Sequence, residues 1–129
     1  MSSTLGQHEM ASVEVSGDNI EASRVSGTSV YDIQGEKLGS IEDVVLGKRD
    51  GRVKYAILSF GGFLGIGEEH YPLPWETLKY DERQGGYVVG IPIEQLKGAP
   101  NYNRSARPAW DDPDYGRGID DYYGMRPVL

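Results

Sequence analysis

Between residues 19 and 99 the apolar positions fall into short runs separated by Asp- and Gly-rich turns. This spacing predicts six strands, over 28–31, 37–46, 52–60, 69–73, 79–81 and 87–89. Asp32-Ile33-Gln34-Gly35 fits a tight reversal, and the Asp50-Gly51 pair between apolar runs is a strong hairpin signal. Gly39 inside the second strand points to a bulge or a sharp corner. Pro72 and Pro74 suit a strand end, and Pro74 opens a short helical turn holding Trp75 and Leu78. Residues 92–97, with Ile93 and Leu96 three apart and Gly98 behind, predict one to two turns of helix. The expected fold class is all-β: a small barrel of about six short strands with a short C-terminal helix and extended tails.

One strand departs from simple alternation. Val53, Tyr55 and Ile57 share one face and Ala56, Leu58 and Phe60 the other, so both faces are apolar. A barrel strand needs only one such face, so a helix, the C-terminal tail or another subunit must cover the outside. The next segment places Gly61, Gly62, Gly65 and Gly67 around Phe63, Leu64 and Ile66. A solvated linker would not carry three large hydrophobes. They either cap the barrel end of their own subunit or face a partner, and Trp75 is expected to plug the core.

With 129 residues the chain is expected to form one folded unit. Residues 1–18 are polar, with three acids and no base, and read as a disordered arm; residues 19–99 are the barrel domain. In 100–129, Tyr102, Trp110, Tyr115, Tyr122 and Tyr123 sit among five aspartates and four arginines with no helical or strand period. That aromatic content predicts a tail that wraps the barrel or a partner subunit. A net charge of -7 argues against a sequence-independent grip on nucleic acid or anionic lipid. No apolar run approaches the ~20 residues of a membrane span, and the first 20 residues lack a basic leader pattern. The expected compartment is the cytoplasm.

Candidate chemistry is sparse. Cysteine is absent, which excludes disulfides and leaves His8, His70 and carboxylates as metal ligands. On a strand Glu68 and His70 share a face and Glu69 points away; two ligands do not make a zinc site, so a solvent-facing polar edge is expected there. No Gly-x-Ser-x-Gly elbow accompanies His70. The carboxylate pairs Glu42-Asp43, Asp111-Asp112 and Asp120-Asp121 are adjacent in sequence, and on a strand such neighbours face opposite ways. The glycine-rich corner lacks the third glycine of a dinucleotide loop, the Gly-Lys-Ser/Thr ending and a following helix. The expectation is a protein without catalytic residues, metal or cofactor, and not an enzyme. Lys48, Arg49, Arg52 and Lys54 form the one cationic concentration, a solvated turn or a contact to an RNA backbone or acidic protein.

The order of motifs resembles the PRC-barrel domain of the reaction-centre H subunit and of a ribosome maturation factor. The resemblance rests on Val30-Tyr31-Asp32, Gly35, Leu38-Gly39-Ser40-Ile41-Glu42-Asp43-Val44, Tyr55-Ala56-Ile57-Leu58, the glycine corner and Pro72-Leu73-Pro74-Trp75, over residues 20–98. No transmembrane helix or separate N-terminal domain precedes the barrel, so a stand-alone member is expected. The resemblance and the two-faced strand imply a protein–protein interaction or assembly module, self-associating, with a homodimer favoured and the protein partner unknown. Candidate contact residues are Phe63, Leu64, Ile66, Tyr55, Ile57, Trp110, Tyr115, Tyr122 and Tyr123. The alternative is a ribosome-associated or RNA-processing accessory factor using the basic turn.

Overall fold

A computed structural model describes residues 17–60, 69–103 and 106–125. Most of the predicted N-terminal arm and the whole glycine corner, with Phe63, Leu64, Ile66 and Glu68, lie outside them. The described chain begins with a single helical turn, α1 (Ala22–Val25), followed by β1 (Ser29–Tyr31), β2 (Lys37–Leu46), β3 (Val53–Ser59) and β4 (Glu69–Pro74). A 3-10 turn (Trp75–Thr77) leads to β5 (Leu78–Asp81), β6 (Gly86–Val89), α2 (Ile93–Lys97), β7 (Tyr102–Asn103) and α3 (Pro113–Tyr122).

The reversals share one construction. Asp32 Oδ1 accepts from the amides of Gln34 and Glu36, Asp50 Oδ1 from Arg52 and Asp81 Oδ1 from Arg83. Each turn ends on a glycine at positive φ: Gly35, Gly51 and Gly85. The aspartate supplies a side-chain acceptor for an amide the turn would otherwise strand, and the glycine takes the left-handed conformation.

Seven strands make one sheet in the order β5-β6-β1-β2-β3-β4-β7, antiparallel except where β1 pairs β6 in parallel. β4 and β5 stand five places apart in that order, yet only Trp75–Thr77 joins them. Flat, the sheet would separate them by about 24 Å at ~4.8 Å per strand. The link reaches only about 14 Å at ~3.5 Å per residue. The sheet therefore curls back on itself. β2 and β3 approach closely at Gly39, where a Cβ would collide with the Ser59 carbonyl oxygen.

The curl does not end in a closed hydrogen-bonded barrel. Among the described residues the ladder stops at β5 and β7. Both end strands are short, and the helices contribute to the same core: Val25 of α1, and Leu96 and Ala99 at α2, join Val30, Ile41, Leu58, Leu73 and Val89. Two further differences from the sequence expectation are the seventh strand and α3, both in a tail without apolar period. α3 is set by its ends: Asp112 Oδ1 accepts the Asp114 amide 2.9 Å away, Pro113 opens the first turn, and Gly124 at φ 71° closes it.

Candidate functional site

The outer face of β3 and β4 carries Tyr55, Ile57, His70 and Pro72, and the chain's own tail lies over it. Register places Tyr55 opposite Pro74, Ile57 opposite Pro72 and Ser59 opposite His70, so these side chains share a face. β7 extends that face by setting Tyr102 opposite His70. Trp110 then stacks on Tyr55 at 6.2 Å and meets Tyr102 and Tyr115 edge-on at 5.9 and 5.5 Å. α3 packs on β4 with Ile119 fully buried. Its Gly116 leaves room for the Tyr55 hydroxyl, which donates to the Gly116 carbonyl at 3.4 Å. At the helix end the Tyr122 hydroxyl donates to the Gln95 carbonyl at 2.5 Å, and Tyr123 packs against the core.

Charge is handled unevenly under this cover. Burial, reinforced by the neighbouring Asp120 carboxylate, pushes the Tyr55 phenol up to about 12. Asp120 is itself raised, first by burial and then by Glu76. Burial pushes the Tyr123 phenol up as well, and its hydroxyl has no hydrogen-bond partner.

Where the tail crosses from β7 towards α3 it leaves a groove of about 440 Å³. Ile57 and Val45 line its apolar part; Glu42, Asp43, His70, Tyr102, Arg107 and Trp110 surround it. Two features correct the sequence reading. The β2–β3 register shifts between Ile41 and Asp43, and this bulge at Glu42 brings both carboxylates to the groove where regular alternation would oppose them. His70 is not a solvent-facing edge residue: it is 5% exposed, stacked on Tyr102 at 5.3 Å. Its Nδ1 has no hydrogen-bond partner. An unsatisfied buried polar atom costs about 1–3 kcal/mol, and the Tyr115 and Tyr123 hydroxyls are in the same state. Burial raises the Tyr102 phenol; Arg107 works against that rise, and Asp43 and Glu42 add to it. Among the described residues the lining holds no serine, cysteine or lysine nucleophile, and no trio of His, Cys, Asp or Glu is arranged to hold a metal.

The structure thus brings Tyr55, Ile57, Trp110 and Tyr115 together under one cover. Tyr122 and Tyr123 stand at its far end, beside α2. Lys48, Arg49, Arg52 and Lys54 sit apart at the β2–β3 turn, with Arg52 and Lys54 beside Asp50. The Arg52 amide, seconded by those charges, holds the Asp50 carboxyl below its usual range. Residues the sequence did not single out are Arg107, Ile119, and the exposed group Ile20, Ile33 and Tyr80 near the β5 end of the sheet. Ile33 was legible only as a turn residue, and the end position of β5 appears only once the strands are ordered.

No helix among the described residues is long and apolar enough to cross a membrane. No curated protein matches the chain. Residues 17–96, more than half of its length and all of β1 to β6, match the family described as the PRC-barrel domain. The motif positions from Val30 to Trp75 all fall within the matched residues, and the chain belongs to the PRC-barrel domain family.

Proposed function

We propose that the protein is a non-enzymatic, cytoplasmic interaction or assembly module that self-associates, most simply as a homodimer. Membership of a family built as a small scaffold supports this. The observation that carries it is the apolar end of the sheet, bare among the described residues. Ile33 is 74% exposed, Ile20 42% and Tyr80 40%. Tyr80 lines two shallow clefts, one shared with Ile20 and the other with Ile33, so the three form one patch. Lys79, Asp81 and Glu82 border it with both signs of charge, the mixed rim expected of a surface that meets a like copy. Behind it, Tyr80 meets Tyr87 edge-on at 5.2 Å and Tyr87 meets Trp75 at 5.3 Å, so the exposed ring is braced from the core.

Light scattering on Ile33→Ser/Tyr80→Ser tests the reading, with Phe63→Ser/Leu64→Ser as the parallel variant for the glycine corner. A wild-type dimer that becomes monomeric in the first variant supports the bare end; in the second, the corner. A monomeric wild type would remove self-association altogether.

A second reading, ribosomal association or RNA processing, draws on the exposure of Lys48, Arg49, Arg52 and Lys54 at one turn. It expects salt-sensitive co-sedimentation with ribosomal particles, weakened by Lys48→Glu/Arg49→Glu. Absence of co-sedimentation at low salt contradicts it.

A further inference from the structure

We propose that the self-association inferred above, on which this step rests, is made by pairing β5 edge to edge with β5 of a second copy. The two strands run antiparallel about a two-fold axis at Tyr80, so that Lys79 of each copy meets Asp81 of the other. Among the described residues β5 has a strand on one side only, β6. The Asp81 carbonyl points into the β5–β6 hairpin, where it accepts the Gly85 amide at 2.9 Å. Backbone groups alternate in direction along an antiparallel strand, so Tyr80 turns its N–H and C=O to the open side. Side chains alternate across the sheet: Leu78, part of the core, and Tyr80 lie on the inner face, Lys79 and Asp81 on the outer.

Symmetry and charge then select the register. A two-fold axis normal to the sheet keeps each face on its own side, so the strand can meet its copy only about one of its own residues. A pair centred on Lys79 sets two ammonium groups opposite each other, and one centred on Asp81 two carboxylates; like charges directly opposite are destabilising. A pair centred on Leu78 sets Tyr80 against Glu76 of the 3-10 turn, outside the strand. The Tyr80 centre opposes the two tyrosines and makes the Lys79–Asp81 contact twice. Lys79 is exposed and has no ion-pair partner among the described residues. Asp81 is fixed in place by the Arg83 amide on Oδ1 and the Gln84 side-chain amide on Oδ2. A lysine on an edge strand commonly guards against pairing; here the same lysine forbids the wrong register and is satisfied in one.

The test measures the mass of the full chain across concentrations by sedimentation equilibrium, for the wild type, Lys79→Glu, Asp81→Lys and the double exchange Lys79→Glu/Asp81→Lys. Each single variant turns two attractive contacts into two repulsive ones and should weaken dimerisation about tenfold or more; the double exchange restores both contacts with reversed sign and should return to within about threefold of the wild type. Mixing the two single variants should give a heterodimer tighter than either homodimer, because every contact is then between opposite charges. Should Asp81→Lys fail to fold, Lys79→Glu is compared with Lys79→Gln: the reversed charge should weaken the dimer about threefold or more beyond the neutral variant, and equal dimerisation of the two overturns the pairing. A dimer that is lost in Ile33→Ser/Tyr80→Ser yet indifferent to the charge variants keeps the self-association reading and overturns this pairing. Weakening in the single variants without recovery in the double exchange or the mixture overturns it too. A monomeric wild type, the result expected if the chain's own residues 1–16 cover this edge, overturns both.

Discussion

The two ends of this sheet solve the same problem differently. Over β3 and β4 an apolar outer face is covered by the chain's own C-terminal residues, through Trp110 on Tyr55, Ile119 beneath α3 and Tyr123 against the core. At the β5–β6 end, Ile20, Ile33 and Tyr80 have no such cover among the described residues. The difference follows from strand pairing: β7 adds to β4 and sets the tail on that face, while β5 lies at the other end of the ladder. A face covered in cis becomes a layer of the fold and can enclose a groove; a face left bare is available to another molecule. In energetic terms the covered face should be costly to disturb and the bare end nearly free.

The largest expected effect is at Ile119. It is fully buried under α3, so Ile119→Ala should lower unfolding free energy by about 2–5 kcal/mol in urea titration. A loss below about 1 kcal/mol would mean α3 is not an integral layer. Trp110→Ala should follow with about 2 kcal/mol, since it removes a half-buried ring and three aromatic contacts worth roughly 0.5–1.5 kcal/mol each at most.

Acid–base behaviour sharpens the same contrast without a large energy. Asp120 is raised above its unfolded value, so its contribution is fully present below the ordinary value of 3.8 and is lost as pH rises through the folded value. Asp120→Asn should therefore stabilise the docked helix at neutral pH and flatten the difference between acid and neutral melting temperatures. Tyr55 is raised from 10.0 to about 12; its contribution is present below 10.0 and is lost as pH climbs through about 12. Tyr55→Phe should remove that alkaline step. The smallest effect belongs to the bare end: Ile33→Ser/Tyr80→Ser should change monomer stability by no more than about 0.5–1 kcal/mol while altering mass in solution. A loss of several kcal/mol would show that the patch serves the fold.

Sequence patterning carried the sheet well where local chemistry decides. The long second strand, the Asp-Gly turns and the helix at 93–97 follow from alternation, side-chain acceptors and a glycine stop. It also anticipated the need for a cover over Tyr55 and Ile57, because a strand apolar on both faces is incomplete alone. α3 was hidden because Ile119 is its one aliphatic residue and Gly116 and Gly118 dilute its period. Its caps, Asp112-Pro113 and Gly124, were the available signal. The groove was hidden for a different reason. Alternation assigns Glu42 and Asp43 to opposite faces, and a bulge overrules alternation only through the register with β3. His70 looked like an edge residue because β7, two residues long, is what buries it. Open ladder ends were likewise illegible, since closure depends on which strands meet last.

The central claim is that the tail covers the β3–β4 face within one molecule. A double-mutant cycle on Tyr55→Leu and Trp110→Leu, read by urea unfolding at several protein concentrations, tests it most directly. Cover within one molecule gives a favourable coupling of about 0.5–1.5 kcal/mol that does not change with concentration. A coupling near zero, or one that grows with concentration, would contradict it.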